Sequence, residues 1–337
     1  MSDPSATMFS MKATDRAFPG FERRDLRSPR QPAAYHAARS DEVLVKMGEG
    51  RTAWFALNPY SGCEFGCAWC QARQQPPFRD ADYRLFERDI HARTNAADAL
   101  LRAVRDGRLG SHPLVLGTTC DPWQPAERRF EVTRRVLEVA ANHGVADVRA
   151  QTRSTLATRD ADLLVAIGRR GRASLAFSIA SRDHKLSRLL EPLAPTPERR
   201  LAAMEAMARS GVRVGILVAP VLAGLNDSLP ALERLLRSAR DFGASFAGGA
   251  PLSMRPEARA RLVRQVSLED PERATRFDRL LARSAEREHG FAEVLAERFA
   301  EACDKVGLTN VWARRTAKQP ASASPAGEPQ GRQLSLF

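Results

Sequence analysis

The chain is poor in lysine and tyrosine, and it has no apolar run long enough to cross a bilayer. Only five of its 337 residues are lysine (Lys12, Lys46, Lys185, Lys305 and Lys318), although lysine and arginine together number 52. The net charge of +12 is therefore carried almost wholly by arginine. A basic surface favours polyanions such as nucleic acid. The plain alternative is an arginine bias spread over solvated helix faces. The longest strongly apolar run, Val214 to Leu225, is too short to span a membrane and is broken by Pro220 and Gly224. The start, MSDPSATMFSMKATDR, has no apolar stretch of signal-peptide type. The expectation is a soluble, cytoplasmic protein. Five cysteines, an odd number without a secretory signal, argue against a disulfide framework. The six histidines (His36, His91, His112, His143, His184 and His289) are scattered, and no pair has metal-ligand spacing.

What the chain does have is the run NPYSGCEFGCAWCQAR, with Cys63, Cys67 and Cys70 spaced CxxxCxxC. Three thiolates on one tight loop can hold three irons of a four-iron four-sulfur cluster, leaving the fourth iron open to a small molecule. Gly62 and Gly66 suit a backbone that must bend around such a group. A zinc site is the competing reading. It needs four ligands, usually two close pairs, and no second CxxC or HxxxH is present.

Along the chain, residues 1–50 read as an irregular, mostly extended N-terminal arm, with Arg23, Arg24, Arg27 and Arg30 near prolines. Strand-like runs follow at Trp54–Asn58, Leu114–Thr119, Val148–Thr152, Ser174–Ile179, Val212–Ala219 and Ser245–Gly248. Helical patterns lie between them near 94–106, 127–142, 160–169, 197–210 and 228–242, with a long one near 272–305. This alternation predicts an α/β fold, a parallel sheet with helices outside. Curled, six such units make a partial (βα)₆ barrel, whose site lies at the C-terminal strand ends. The helix from Pro197 has a cap in Thr196, a first-turn proline and a closing Gly211. Leu201, Met204, Met207 and Ala208 form its buried stripe. The expected layout is a barrel over 51–255, a helical extension over 256–316 and a tail over 317–337. Cys303, in line with Phe299 and Val306, reads as core. The tail AKQPASASPAGEPQGR, 317–332, is a disordered linker by composition and ends in QLSLF.

The cysteine run, GTTCDPWQPAERR (117–129), LAFSIAS (175–181), EPLAPTPERRLAAM (191–204) and VGILVAPVLAGLND (214–227) together resemble the radical S-adenosylmethionine (SAM) superfamily. Within it they look like the branch of spore photoproduct lyase and its non-spore relatives. The resemblance implies a partial (βα)₆ barrel of radical SAM type, a 4Fe-4S cluster and cleavage of SAM to a 5′-deoxyadenosyl radical. It also implies an electron donor such as flavodoxin or ferredoxin. By position it makes Cys63, Cys67 and Cys70 the cluster ligands, and Ser178, Thr119 and Arg153 contacts of SAM. Arg153 stands where the lyase has a lysine, a planar fork in place of a point charge. Arg200 matches an arginine of unclear role. Cys120 stands two positions from the cysteine that returns a hydrogen atom in the lyase, and that offset keeps the same strand face. Each of these has a bland reading: a strand-end polar group satisfying backbone, or a cysteine acting as a small hydrophobe. Asp121 can orient SAM or initiate a turn before Pro122, and Glu127 is a second acid near the site. Where the lyase has tyrosines flanking the third cysteine, this chain has Trp69 and Gln71, so the same relay is not expected.

The tail resembles the bacterial sliding-clamp-binding pentapeptide. That implies a DNA polymerase sliding clamp as partner, gripped by Gln333, Leu334, Leu336 and Phe337, with DNA nearby. Exposed apolar residues on a tether otherwise lack a purpose. Three functions follow: a radical SAM enzyme of lyase type acting on DNA lesions, one acting on RNA, a protein or a small molecule, and a non-catalytic iron–sulfur DNA-binding or redox sensor.

Overall fold

The structure, a computed structural model, describes residues 32–311 apart from 75–77, 79–82, 223, 253–255, 270, 273, 276–277 and 280–290. The first 31 residues and the tail from 312, including Gln333, Leu334, Leu336 and Phe337, lie outside the described residues.

Six parallel strands form the centre: Trp54–Leu57 (β3), Leu114–Leu116 (β6), Asp147–Thr152 (β7), Arg172–Ser178 (β8), Arg213–Val221 (β9) and Phe246–Pro251 (β10). They pair in that order, each parallel to the next. Leu44–Met47 (β2) extends one edge antiparallel to β3, and Thr309–Asn310 (β11) extends the other beside β10. The partial barrel expected from the alternation is thus present, and each predicted strand falls on an observed one.

Helices cover the outside. They are Ala96–Arg105 (α1), Glu127–Phe130 (α2), Val132–Asn142 (α3), Ala161–Arg170 (α4), His184–Leu190 (α5), Pro197–Arg209 (α6), Leu229–Asp241 (α7), Pro256–Glu269 (α8) and Phe291–Val306 (α9). Their apolar faces (Leu100, Val136, Leu137, Leu164, Met204, Leu236 and Phe299) meet Leu114, Val148, Leu175, Val214 and Ile216 of the strands in one buried core. Cys303 is fully buried there with Phe299 and Val306, as a small hydrophobe. A smaller cluster joins Ala176, Leu217, Ala219, Phe246 and Ala250. Alanine recurs in it, and small side chains leave open volume that leucine or valine would fill.

In α6, Thr196 Oγ1 accepts from Arg199 N at 3.4 Å, Pro197 opens the helix and Gly211 follows it at φ +91°. Leu201, Met204 and Met207 are buried.

Four expectations change. The segment 127–142 is two helices, because Glu131 takes a left-handed φ of 49° between them. The long helix near 272–305 appears as helical residues at 271–272, 274–275 and 278–279 and as α9, with 280–290 outside the described residues, and α8 precedes it as a helix not expected. Part of the stretch expected as an irregular arm is strand: Ala34–Ala38 (β1) and β2. β1 pairs in parallel with Asp89–Arg93 (β5), which pairs antiparallel with Tyr60–Ser61 (β4), giving a separate three-stranded sheet. The short helix α5 was not expected at all.

Candidate active site

β4 runs directly into Gly62 and Cys63, so the small sheet launches the cysteine loop. Gly62 has φ +81°, and a Cβ there would meet the Asp89 carbonyl oxygen at 2.7 Å. Only glycine fits that crossing. Cys63 N donates to Phe86 O at 2.7 Å, Ala68 N to Leu190 O at 2.9 Å and Cys70 N to Cys67 O at 3.3 Å. Beneath the loop, buried Arg73 donates its Nε to Cys67 O at 3.2 Å, pairs with Glu87 and lies over the Phe86 ring.

Cys63, Cys67 and Cys70 line one cavity with Trp69, Gln71, Thr119, Cys120, Asp121 and Arg153. Its far wall is Leu217, Ala219, Pro220 and Ala250, the small-residue face of β9 and β10. The open space is about 930 Å³, counting the mouth. Most of the lining lies at or just beyond the C-terminal ends of the central strands, where sites of parallel sheets form.

The donor set fits an iron–sulfur cluster. The three Sγ atoms are not gathered within 4.8 Å of one another. Ligands of a single zinc at about 2.3 Å bonds would sit roughly 3.8 Å apart. A cluster, which offers irons at separate corners, does not require its thiolates to converge on one metal. Burial pushes the Cys63 thiol well up, helped by Asp121 and Cys67, and pushes the Cys67 thiol to about 12. Such thiols give up their protons to bound iron rather than to water.

Thr119 is held by its backbone: its N donates to Asn58 Oδ1 at 2.8 Å. The same oxygen accepts a long contact from Cys120 Sγ, 3.9 Å. Burial raises the Cys120 thiol to about 12, so at neutral pH it keeps its hydrogen. Gly117, at φ +90°, lets this segment pass the Gln151 carbonyl, which a Cβ would approach to 2.7 Å.

Arg153 leaves β7, donates its Nε to Glu191 at 2.7 Å and stacks 4.9 Å from the centre of the Trp69 ring. Glu191 also accepts from buried Arg200, whose Nη1 donates to Ser178 O as well. Burial alone would raise the Glu191 carboxyl, but Arg200 and Arg153 more than offset it and hold it below its ordinary value.

The structure places two further sequence candidates as follows. Ser178 is not among the lining residues: it is buried, and its hydroxyl turns to Ala219 O at 3.5 Å on the neighbouring strand. Asp121 spends its carboxylate on protein, accepting from Trp123 N, Thr152 Oγ1 and Arg153 N at 3.0, 2.7 and 2.6 Å. It is a turn-former at the cavity wall, kept above its usual pKa by burial. Glu127 lies behind the site, fully buried, and accepts from Tyr60, Thr133, Arg134 and Arg159. Sequence reasoning missed Asn58, which orders residues 119–120, and Glu191, which aims two arginines. Both open runs quoted above, the cysteine run and EPLAPTPERRLAAM, but their roles depend on contacts with distant segments that a linear pattern does not show.

The model for the radical SAM superfamily matches residues 57–236, more than half of the chain. The protein belongs to the radical SAM superfamily, whose members work with a 4Fe-4S cluster and SAM. An uncharacterized protein of Mycobacterium tuberculosis is 30% identical over 306 residues, 88% of this chain and 90% of its own. An uncharacterized protein of Methanocaldococcus jannaschii is 23% identical over 175 residues, 52% of this chain and 63% of its own. Among solved structures, a point mutant of spore photoproduct lyase superposes with a TM-score of 0.58 at 14% identity, covering 82% of this chain and 81% of the lyase. A double mutant of that lyase with bound AdoMet and dinucleoside spore photoproduct gives 0.52 at 15% identity, covering 68% of this chain and 66% of its own. At those identities the likeness is one of fold. Among the described residues, no helix is long and apolar enough to cross a membrane.

Proposed function

We propose that the protein is a radical SAM enzyme that reverses or processes a base lesion in DNA, brought to its substrate by the sliding clamp. The observation that carries the enzymatic part is the meeting of Cys63, Cys67, Cys70, Thr119, Cys120 and Arg153 around one cavity. A redox sensor needs the cysteines alone. Thr119, Arg153 and a protonated thiol facing the same space have no role in it.

Cys63, Cys67 and Cys70 would hold the cluster. When bound, cluster and SAM supply one-electron cleavage of the sulfonium and a carbon radical able to abstract hydrogen. Arg153, pinned by Glu191 and Trp69, presents its remaining guanidinium edge to a carboxylate such as that of SAM. Thr119 offers a hydroxyl to the same ligand. Ser178 acts from behind the wall, on Ala219. Cys120, kept as a thiol by burial, is placed to return a hydrogen atom to a substrate carbon. Trp69 and Gln71 flank Cys70, and Gln71 forms no tyrosyl-type radical, so the thiyl radical left on Cys120 would be returned to the thiol by one electron and one proton from an external reductant rather than by that relay.

The DNA assignment is supported by the lyase-like fold, by the arginine charge and by QLSLF at Gln333–Phe337. The deciding test incubates reduced, cluster-loaded protein and SAM with UV-irradiated DNA and analyses the bases. Restored or altered dipyrimidine lesions support the reading. SAM cleavage without any change in the DNA moves the substrate to RNA, a protein or a small molecule.

A further inference from the structure

We infer that His36, Asp89 and His91 form a binding site for a divalent cation of the zinc class, on the outer face of the three-stranded sheet and separate from the cluster cysteines.

Strand register builds this group. β1 and β5 run parallel, and His36 stands directly opposite His91. Side chains alternate along a strand, so Asp89 and His91, two apart, share a face with His36. Ile90 and Ala92, on the other face, are fully buried. His36 Nε2 lies 2.7 Å from Asp89 Oδ1, and His91 Nε2 lies 3.2 Å from Asp89 Oδ2. The two imidazoles stack with centroids 4.8 Å apart and planes 23° from parallel. One ligand atom from each residue falls within 4.8 Å of the others, and no other trio of histidine, cysteine or acid among the described residues does this.

The competing account is a carboxylate hydrogen-bonded to two neutral rings. It explains the contacts but not the convergence. One Asp–His bond would tie β1 to β5, and a second histidine stacked on the first adds crowding at exposed positions. A cation uses all three groups at once. The side chains are 51%, 35% and 38% exposed, open enough for an ion to enter and for water to complete its shell. Two imidazoles and one carboxylate are a borderline donor set that suits Zn²⁺, Ni²⁺ or Co²⁺ rather than Ca²⁺ or Mg²⁺, which prefer oxygen. Ligands of zinc at about 2.0–2.2 Å bonds lie roughly 3.3–3.6 Å apart. The present spacing reaches that with small side-chain rotations, each ring moving its proton from Nε2 to Nδ1.

Such an ion would bond β1 across to β5. β5 pairs with β4, where Ser61 stands opposite His91, and β4 leads into Gly62 and Cys63. The cation therefore braces the support of the cysteine loop while sharing no ligand with it. His36 and His91 are 55 positions apart in sequence, which is why spacing alone shows no pair.

The test uses cluster-loaded protein, whose loop cysteines are already occupied, dialysed against micromolar zinc chloride with metal analysis of the retained protein. The expected result is one zinc per chain in addition to iron. The His36→Ala and His91→Ala variants should bind at least about tenfold more weakly while keeping their iron content. Zinc should also raise the melting temperature of the parent and leave that of both variants unmoved. Absence of stoichiometric zinc, or zinc binding and stabilisation that both variants retain, overturns the inference.

Discussion

Arg153 lies over the Trp69 ring, its guanidinium carbon 4.9 Å from the centroid, so the residue that follows strand β7 is fastened to one of the cysteine loop. The fastening has a second point in Glu191, which takes the Arg153 Nε and an Arg200 amine on its two oxygens. Removing Arg153 leaves a buried carboxylate with one partner fewer.

Arg153→Ala should therefore lower stability by about 1.5–3 kcal/mol, the usual worth of a hydrogen bond to a charged group, because Glu191 keeps Arg200. Arg153→Lys keeps the charge but not the fork, and should weaken SAM binding about tenfold with a smaller loss of stability. Calorimetric SAM titration beside thermal unfolding separates the two effects. Equal SAM affinity in all three proteins would remove Arg153 from the ligand site. Since Glu191 has a lowered carboxyl pKa, its contribution is fully present above the ordinary carboxylate value and is lost as pH falls from there through the lowered folded value. The stability gap between parent and Arg153→Ala should narrow on acidification.

The cluster reading is checked by chemical analysis. Anaerobically prepared protein should hold about four irons and four sulfides, with cluster lost on Cys63→Ala, Cys67→Ala or Cys70→Ala. Because burial raises the Cys63 and Cys67 thiols, their protons must leave as iron enters. Reconstitution should be more favourable at pH 9 than at pH 7. Stoichiometric zinc in place of iron after reconstitution, or assembly indifferent to pH, would count against this account.

Gly62→Ala isolates the loop crossing. The new methyl meets the Asp89 carbonyl at 2.7 Å on a backbone of φ +81°. The cost should exceed the ~1 kcal/mol typical of an unhindered left-handed residue, and cluster content should fall although all three thiols remain. Full iron loading in this variant would show that the loop can pass elsewhere.

For Cys120, the thiol raised to about 12 should resist alkylation. At pH 8 its thiolate fraction is roughly 10³-fold below that of an ordinary cysteine. In Cys120→Ala, 5′-deoxyadenosine should still form while the substrate product profile scatters into by-products. An unchanged profile returns Cys120 to a packing role.

The tail prediction is independent of chemistry. Leu334, Leu336 and Phe337 can each give roughly 1.5–3 kcal/mol on full burial, less the cost of ordering a peptide. A dissociation constant near micromolar is expected. Deleting Gln333–Phe337 should abolish clamp binding and spare SAM cleavage. Equal clamp binding by full-length and shortened protein would end the recruitment hypothesis.

The barrel was readable because most of its strands are short apolar runs set between turn residues and an amphipathic helix; DVRAQT of β7 is the exception. Trp54–Leu57 and Leu114–Leu116 show the pattern plainly. The three-stranded sheet was not readable. AYHAA has no clear alternation, and Tyr60–Ser61 is two residues long, so pairing with distant partners decides their state. The break at Glu131 left no glycine or proline to mark it. At the site, the cysteine spacing, Thr119, Cys120 and Arg153 came from short motifs. The turn of Ser178 toward Ala219 depends on how neighbouring strands sit, which a linear pattern does not carry.

One set of contacts bears on how the molecule works as a machine. Glu64 accepts from Ala126 N and from the Tyr35 hydroxyl, its own N donates to Gln124 Oε1, and the Gln124 amide donates to Gly62 O. Those bonds lace the cysteine loop to the turn that follows Cys120. The three cysteines of the loop and the Cys120 thiol therefore ride on a single hydrogen-bonded plate. The opposite wall, at Leu217, Ala219 and Ala250, takes no part in that set of bonds. A reagent that bends its target into place, rather than bending to meet it, is what such a plate would make.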